Sequence, residues 1–304
     1  MHYLGFVWNP LEGIDLGFFE IKFYSLSYIV AFILGWYIIK RFFKNENEPI
    51  EKLDSLFIYM VLAILIGARL GHVFFYEREL LTSDPLSVIL PFRTTPEFAF
   101  TGFRGLASHG ATIGVLIALY LYNKKYLKKS LLWILDRMVV PTAVGAAFVR
   151  IGNWMNSEIV GKETEEYGMA VQLVRDHYSH TQAVRKTGLD NINDAYAAIV
   201  NSPELLAAVP FRHPTQLYEA FGYLVTFVIL WFVYWKTDKK KQLGYLLGLF
   251  FVLLWTIRFF VEFLKDSQGE EYLTAFGLNT GQLLSIPFII LGLYLMFRPS
   301  KTTA

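Results

Sequence analysis

Apolar residues in this chain run in long blocks separated by short polar stretches. The blocks fall at about 23–40, 55–76, 106–122, 131–151, 215–235, 243–264 and 282–297. Each approaches the ~20 residues that cross a bilayer core, so the pattern predicts about seven transmembrane helices. The fourth is interrupted by Asp136, Arg137 and Pro141, and the third is short at one end. Residues 152–214 form the one long polar connection. Their centre, TQAVRKTGLDNINDAYAAIVNSPELLAAV, predicts one or two helices with a turn at Gly188. The expectation is an all-α integral membrane protein: a single multi-pass domain over 1–304, with a small extracytoplasmic subdomain at 152–214 inserted between the fourth and fifth helices.

Charge sets the orientation. Loops 40–54, 123–130 and 236–242, with the tail from 298, hold 14 Lys and Arg in 37 residues, whereas the opposite side holds 10 in 131. The positive-inside rule then places the N-terminus outside and the C-terminus in the cytoplasm. The first 21 residues carry no Lys or Arg and show no signal-peptide pattern, so the first apolar block is expected to be a retained helix. Composition agrees: 54% of residues are hydrophobic and only 18% charged, against about 25% charged in soluble domains. A net charge of +2 offers no basic excess for nucleic acid. With no Cys, disulfides, thiolate metal sites and cysteine nucleophiles are excluded, and no HExxH or carboxylate–His grouping suggests a metal or other cofactor.

Ionisable groups inside a span are costly and mark candidate sites. In the expected orientation, Tyr24 opens the first span, Arg69 lies in the outer half of the second and His109 in the first turn of the third. Arg150 ends the fourth span, Glu219 starts the fifth, and Arg258 and Glu262 share a face of the sixth. At ~1.5 Å per residue these groups lie roughly 0–12 Å below the outer surface. Asp136 and Arg137 alone fall near the inner leaflet, where snorkelling or a local pair accounts for them. Polar groups at one depth do not make a channel or pump, which needs them at every depth. All cations within the spans are Arg, whose planar fork grips phosphate bidentately. The plainer alternative is helix locking by ion pairs, Arg258 with Glu262 and Arg150 with Glu158.

The densest signal is VRIGNWMNSEIVGKE, residues 149–163. It resembles the signature of the bacterial prolipoprotein diacylglyceryl transferases, Gly-Arg-x-Gly-Asn-Phe-x-Asn-x-Glu-x-x-Gly. Arg150, Gly152, Asn153, Asn156, Glu158 and Gly161 match, while Val149 and Trp154 depart from it. FYSLSY with Tyr24, GARLGHVFFYE (67–77), GLASHGATIGV (105–115), RHPTQLYEA (212–220), RFFVEF (258–263) and GQLLSIPFIILG (281–292) are similar to other family segments, in the family's order. Ala111 replaces a family Gly, and Leu254 a Tyr common one turn before the sixth-helix Arg.

The resemblance implies transfer of the diacylglyceryl group of phosphatidylglycerol to the lipobox Cys of a prolipoprotein signal peptide, with release of glycerol phosphate. The bilayer that supplies the lipid would be the bacterial cytoplasmic (inner) membrane, with the active site facing its outer leaflet. Expected catalytic residues are His109 as general base, Arg150 and Arg258 on the phosphate, and Tyr24. Expected substrate-binding residues are Arg150, Asn153, Asn156, Glu158, Gly161, Arg69 and Glu262. An Arg promoting thiolate formation remains open beside His109. The competing function is a non-catalytic protein that binds or transports anionic lipid at the outer leaflet. A hydrolase lacks a Gly-x-Ser-x-Gly elbow.

Overall fold

The computed structural model describes residues 5–17, 20–90, 92–95, 97–100, 105, 107–165, 169–266 and 277–299. Short strands β1 (Gly5–Trp8), β2 (Gly13–Asp15) and β3 (Glu20–Lys22) precede helices α1 (Phe23–Asn45) and α2 (Glu51–Tyr76). Then come α3 (Leu80–Ser83), β4 (Phe92–Arg93), β5 (Ala99–Phe100), α4 (Ser108–Tyr122) and α5 (Leu131–Met155). The long connection holds β6 (Ala170–Leu173), α6 (Val174–His177), α7 (His180–Thr187), α8 (Ile192–Asn201), α9 (Pro203–Ala207) and β7 (Phe211–Arg212). Helices α10 (Thr215–Lys236), α11 (Tyr245–Val261) and α12 (Thr280–Phe297) complete the chain.

Among the described residues, six helices are long and apolar enough to cross a membrane: α1, α2, α5, α10, α12 and α11 with its extension to Leu264. The seventh candidate is realised as α4, whose 15 residues fall short of a span on their own; a π-helical turn, Asn123–Leu127, continues it. Many large apolar side chains on the long helices are exposed, among them Ile33 and Tyr37 on α1, Val228 and Phe232 on α10, and Ile290 and Tyr294 on α12. Such faces need lipid around them.

The described chain divides into two compact units, 1–38 with 136–304, and 39–135. In the smaller unit, α2 and α4 meet along small residues. A Cβ at Gly110 would lie 2.6 Å from Gly71 Cα, and one at Gly67 2.6 Å from the Gly110 carbonyl oxygen. Only glycine permits this approach, as at close-packed helix pairs in membranes.

In the larger unit, β1, β6 and β7 form a three-stranded sheet in which β1 runs parallel to β6, Gly5 opposite Ala170 through Trp8 opposite Leu173. The hydrophobic and polar pattern did not predict this sheet. Helices α7 and α8 do appear where expected, with α7 closed by Gly188 at φ 71°, the left-handed stop that glycine favours. Ser179 and Gln182 form a reciprocal cap at its start. A small core of Val174, Tyr178, Ala183, Ala195, Tyr196, Ile199 and Val209 fills the space beneath these helices.

Asp136 departs from its expected role. Its side chain is fully buried and accepts the backbone N–H groups of Gly244 at 2.7 Å and Leu247 at 2.9 Å. It therefore caps the first turn of α11 from a neighbouring helix, where carboxylates are favoured by the orphan N–H groups and the helix dipole. Arg137 donates to the Lys240 carbonyl at 3.3 Å. Asp136 thus ties α5 to the start of α11, and Arg137 ties α5 to the turn before it.

Candidate functional site

The site is built at one end of the helices of the larger unit, where α5 and α11 finish and α1, α10 and α12 begin. Helix α5 stops in an unusual turn: Ser157 and Ile159 sit at φ 54° and 58°. Left-handed backbone is uncommon outside glycine, and for β-branched Ile it is an outlier that surrounding contacts must hold. Those contacts are present. The Glu158 N–H returns to the Asn153 carbonyl at 3.0 Å, and Gln216 Nε2 donates to the Glu158 carbonyl at 2.7 Å. Beyond the turn, Lys162 N–H bonds Leu264 O at 2.8 Å and Asp266 N–H bonds Val160 O at 3.1 Å. The turn thus presents Glu158 while clamping the segment after α11.

Within this frame, Asn153 is nearly fully buried and bridges two charges. Its Oδ1 accepts from Arg150 Nη1 at 3.1 Å, and its Nδ2 donates to Glu158 Oε1 at 2.6 Å. The expected Arg150–Glu158 pair does not form directly. Arg150 pairs instead with Glu219 of α10, Nε to Oε2 at 2.8 Å, because Glu158 lies beyond the left-handed turn and reaches Arg150 only through Asn153. The expected Arg258–Glu262 pair is also corrected. The α-helix ends at Val261 and tightens into a 3₁₀ turn over Glu262–Leu264, so Glu262 meets Lys265 three residues on, at 3.1 Å. Among the described residues Arg258 has no ion pair; its guanidinium lies 5.3 Å from the Trp255 ring centroid, and its Nε is buried without a hydrogen-bond partner.

Lys265 was not foreseen, because it stands one residue past the sixth span. It is buried and its Nζ lies 3.1 Å from both Glu219 and Glu262. The contrast between Arg in the spans and Lys outside them therefore stops at the site itself. Tyr223, one turn after Glu219, donates its hydroxyl to Glu219 Oε1 at 2.9 Å. Its i, i+4 spacing from Glu219 was the sequence signal that could have found it.

The remaining expected residues in this unit gather nearby. Tyr24 packs over Gly152, where a Cβ would come within 2.9 Å of its ring, and its hydroxyl lies 3.0 Å from that of Tyr28. Asn156 closes the last turn of α5 through its N–H to Gly152 O at 3.0 Å. Gly161 lies so close to His213 that a Cβ would collide with the His213 carbonyl oxygen. Its own carbonyl accepts from Arg212 Nη1 at 3.1 Å. Trp154, where the signature has Phe, is buried and stacks on Trp8 with ring centroids 4.7 Å apart.

Arg69 and His109 belong to the smaller unit. Arg69 donates to the carbonyls of Ser87 and Val88 at 2.8 and 3.2 Å and lies 3.6 Å from Glu77, so much of its fork is occupied in holding a turn. His109 is exposed and meets the Phe75 ring edge-on at 4.7 Å. With His72, Tyr76, Ala107 and Ser108 it lines a cavity of about 330 Å³. Among the described residues no group of three or more His, Asp and Glu is placed to hold a metal.

The prolipoprotein diacylglyceryl transferase family model matches residues 12–298. The chain belongs to this family. Among curated relatives, the phosphatidylglycerol–prolipoprotein diacylglyceryl transferase of Bacteroides fragilis is 34% identical over 97% of this chain and 95% of its own length. Enzymes of the same name from Tolumonas auensis and Chloroherpeton thalassium are 33% and 35% identical, covering 96% and 94% of this chain and 96% and 91% of their own. A diacylglyceryl transferase must handle a phosphate leaving group beside lipid, and the cation-rich end of these apolar helices has the chemistry for it.

Proposed function

We propose that this protein transfers the diacylglyceryl group of phosphatidylglycerol to the lipobox cysteine thiol of prolipoprotein signal peptides. The setting is the bacterial cytoplasmic (inner) membrane, with the site facing its outer leaflet. The supporting observation is the linked set Arg150, Asn153, Glu158, Glu219, Lys265 and Glu262 at one end of the spans, with Arg258 beside it. The positive-inside count puts that end outside, with α4 and its π-helical continuation as a seventh span and residues 152–214 as an extracytoplasmic subdomain. Lys128→Cys should then be closed, and Asp190→Cys open, to an impermeant thiol reagent added outside.

In the reaction a C–S bond forms at the glyceryl carbon that bears the phosphate ester. The C–O bond at that carbon breaks, and its electron pair leaves on the oxygen of glycerol phosphate. The thiol proton passes to His109 and on to water. A thiol with an ordinary pKa near 8.5 needs modest help to ionise, whereas the departing phosphate gains charge that Arg258 and Arg150 stabilise. Tyr24 and Asn153 orient the glyceryl group, Glu158 and Glu262 hold the cations, and Asn156 and Gly161 shape the turn that carries them. Arg69 holds the Ser87–Val88 turn of its own unit and is assigned to substrate binding there.

The test combines purified protein, phosphatidylglycerol vesicles and a lipobox peptide. A thioether-linked diacylglyceryl peptide and free glycerol phosphate are expected in equal amounts. Lipid binding without either product would return the protein to the non-catalytic reading. For His109→Gln, a near-normal rate with an unchanged pH profile would remove the base assignment.

A further inference from the structure

Glu219 occupies the centre of a chain of alternating charge, Arg150–Glu219–Lys265–Glu262. Its side chain is completely buried. Oε2 lies 2.8 Å from Arg150 Nε and 3.1 Å from Lys265 Nζ, and Oε1 accepts the Tyr223 hydroxyl at 2.9 Å. Oε2 is within ion-pair distance of two cations from different parts of the chain without a hydrogen bond to either, and the two cations would repel each other without it.

An acid at the centre of an anion-handling site needs a reason. Three uncompensated cations would hold the lipid phosphate tightly, and the glycerol phosphate product more tightly still, because it carries the greater charge. Binding that is equal in ground and transition states does not speed the chemical step. Glu219 and Glu262 neutralise Arg150 and Lys265 in place. Arg258, with no ion pair among the described residues and a buried unpartnered Nε, keeps its charge for the ligand.

We propose that Glu219 is a positioning residue of the transfer reaction: it fixes Arg150 and Lys265 in a charge-compensated frame, so that Arg150 meets the phosphate from a set position with its charge balanced, while Arg258 meets it as the uncompensated cation. The proposal rests on the transferase reading above. It differs from a structural role in one respect, since removing the charge of Glu219 should tighten anion binding while slowing turnover.

The experiment compares Glu219→Gln, Glu219→Asp and Glu219→Gln with Lys265→Gln in the vesicle assay, and measures glycerol phosphate binding to each protein in detergent. For Glu219→Gln, kcat is expected to fall about a hundredfold, the scale of a misplaced catalytic frame. Its KM for phosphatidylglycerol should not rise, and glycerol phosphate should bind at least tenfold more tightly. Adding Lys265→Gln restores the charge balance and should recover at least tenfold of the lost kcat. Glu219→Asp keeps the charge on a shorter arm and should lower kcat about tenfold without tightening glycerol phosphate. Losses that simply multiply in the double variant, weaker glycerol phosphate binding in Glu219→Gln, or wild-type kcat in Glu219→Asp would each overturn the proposal. An inert wild type would defeat the transferase reading alone, because the binding series still decides the role of Glu219.

Discussion

Trp8 lies flat against Trp154, ring centroids 4.7 Å apart, and donates its indole N–H to the Trp154 carbonyl at 3.0 Å. An N-terminal strand thereby buttresses the end of α5 just before the turn that presents Glu158. Replacing a buried Trp by Ala costs about 3–5 kcal/mol; Trp8 is only half-buried, so Trp8→Ala should sit at the low end of that range. Trp8→Phe keeps the stacking and loses one hydrogen bond, about 1 kcal/mol. Thermal unfolding in detergent should rank wild type above Phe and Phe above Ala.

Asn153 works because it is both donor and acceptor. Asn153→Asp removes the donor to Glu158 and sets a second carboxylate against the first, now separated from Asn153 Nδ2 by only 2.6 Å. Repulsion should swing Glu158 away and draw Arg150 toward the new charge. Thioether formation should fall at least a hundredfold, on the scale of a 1 Å misplacement. A rate within threefold of wild type would show that the bridge does not set the geometry.

Asp136 makes a contrasting case. Its carboxylate caps α11 at the end opposite Arg258. Asp136→Ala removes a cap worth about 1–2 kcal/mol and leaves buried N–H groups unpaired. Stability should drop by about 1–3 kcal/mol, while kcat per folded molecule stays near wild type. A selective loss of kcat would mean that the two ends of α11 are coupled.

Glu12 links the N-terminal hairpin to the subdomain. Lys22, Arg175 and His180 lie within 2.9 Å of its carboxylate oxygens. Burial opposes its ionisation, but Lys22 and His180 outweigh that and hold its pKa below the ordinary carboxylate value of 4.5. A depressed folded-state pKa gives stability that is fully present above the unfolded value and disappears as pH falls through the folded one. The unfolding temperature of the wild type should therefore drop more steeply below about pH 4.5 than that of Glu12→Gln. Parallel curves would remove Glu12 from the acid response.

Six spans were legible because their apolar blocks are long enough to decide for themselves, whereas the block at 106–122 folds into a helix too short to decide alone. The gathering of Arg150 and Glu219 followed from where they interrupt the ends of their blocks. Pairing was not legible. Glu219 and Arg150 meet only because the start of α10 comes to the end of α5 in the fold, and Glu262 turns to Lys265 because the helix tightens there. Spacing of three or four residues suggested partners that the end of a helix does not preserve. Ser157 and Ile159 carried no warning of left-handed backbone, since Gly or Asn is the usual sign. Strand β1 was too short to show alternation, and its partner lies far along the chain.

That parallel pairing of Gly5–Trp8 with Ala170–Leu173 bears on how the protein is made. During synthesis, strand β1 emerges before its partner and must wait, without its sheet hydrogen bonds and with Trp8 unstacked, while the apolar helices α1, α2 and α5 are made. Closing so long a loop is slow because its entropy must be lost before any contact repays it. The turn around Glu158 gains its full support later still, when Leu264 and Asp266 arrive to pair with Lys162 and Val160. A ribosome-bound chain therefore carries the signature residues long before their turn is complete, and the candidate site is among the last parts of the molecule to mature.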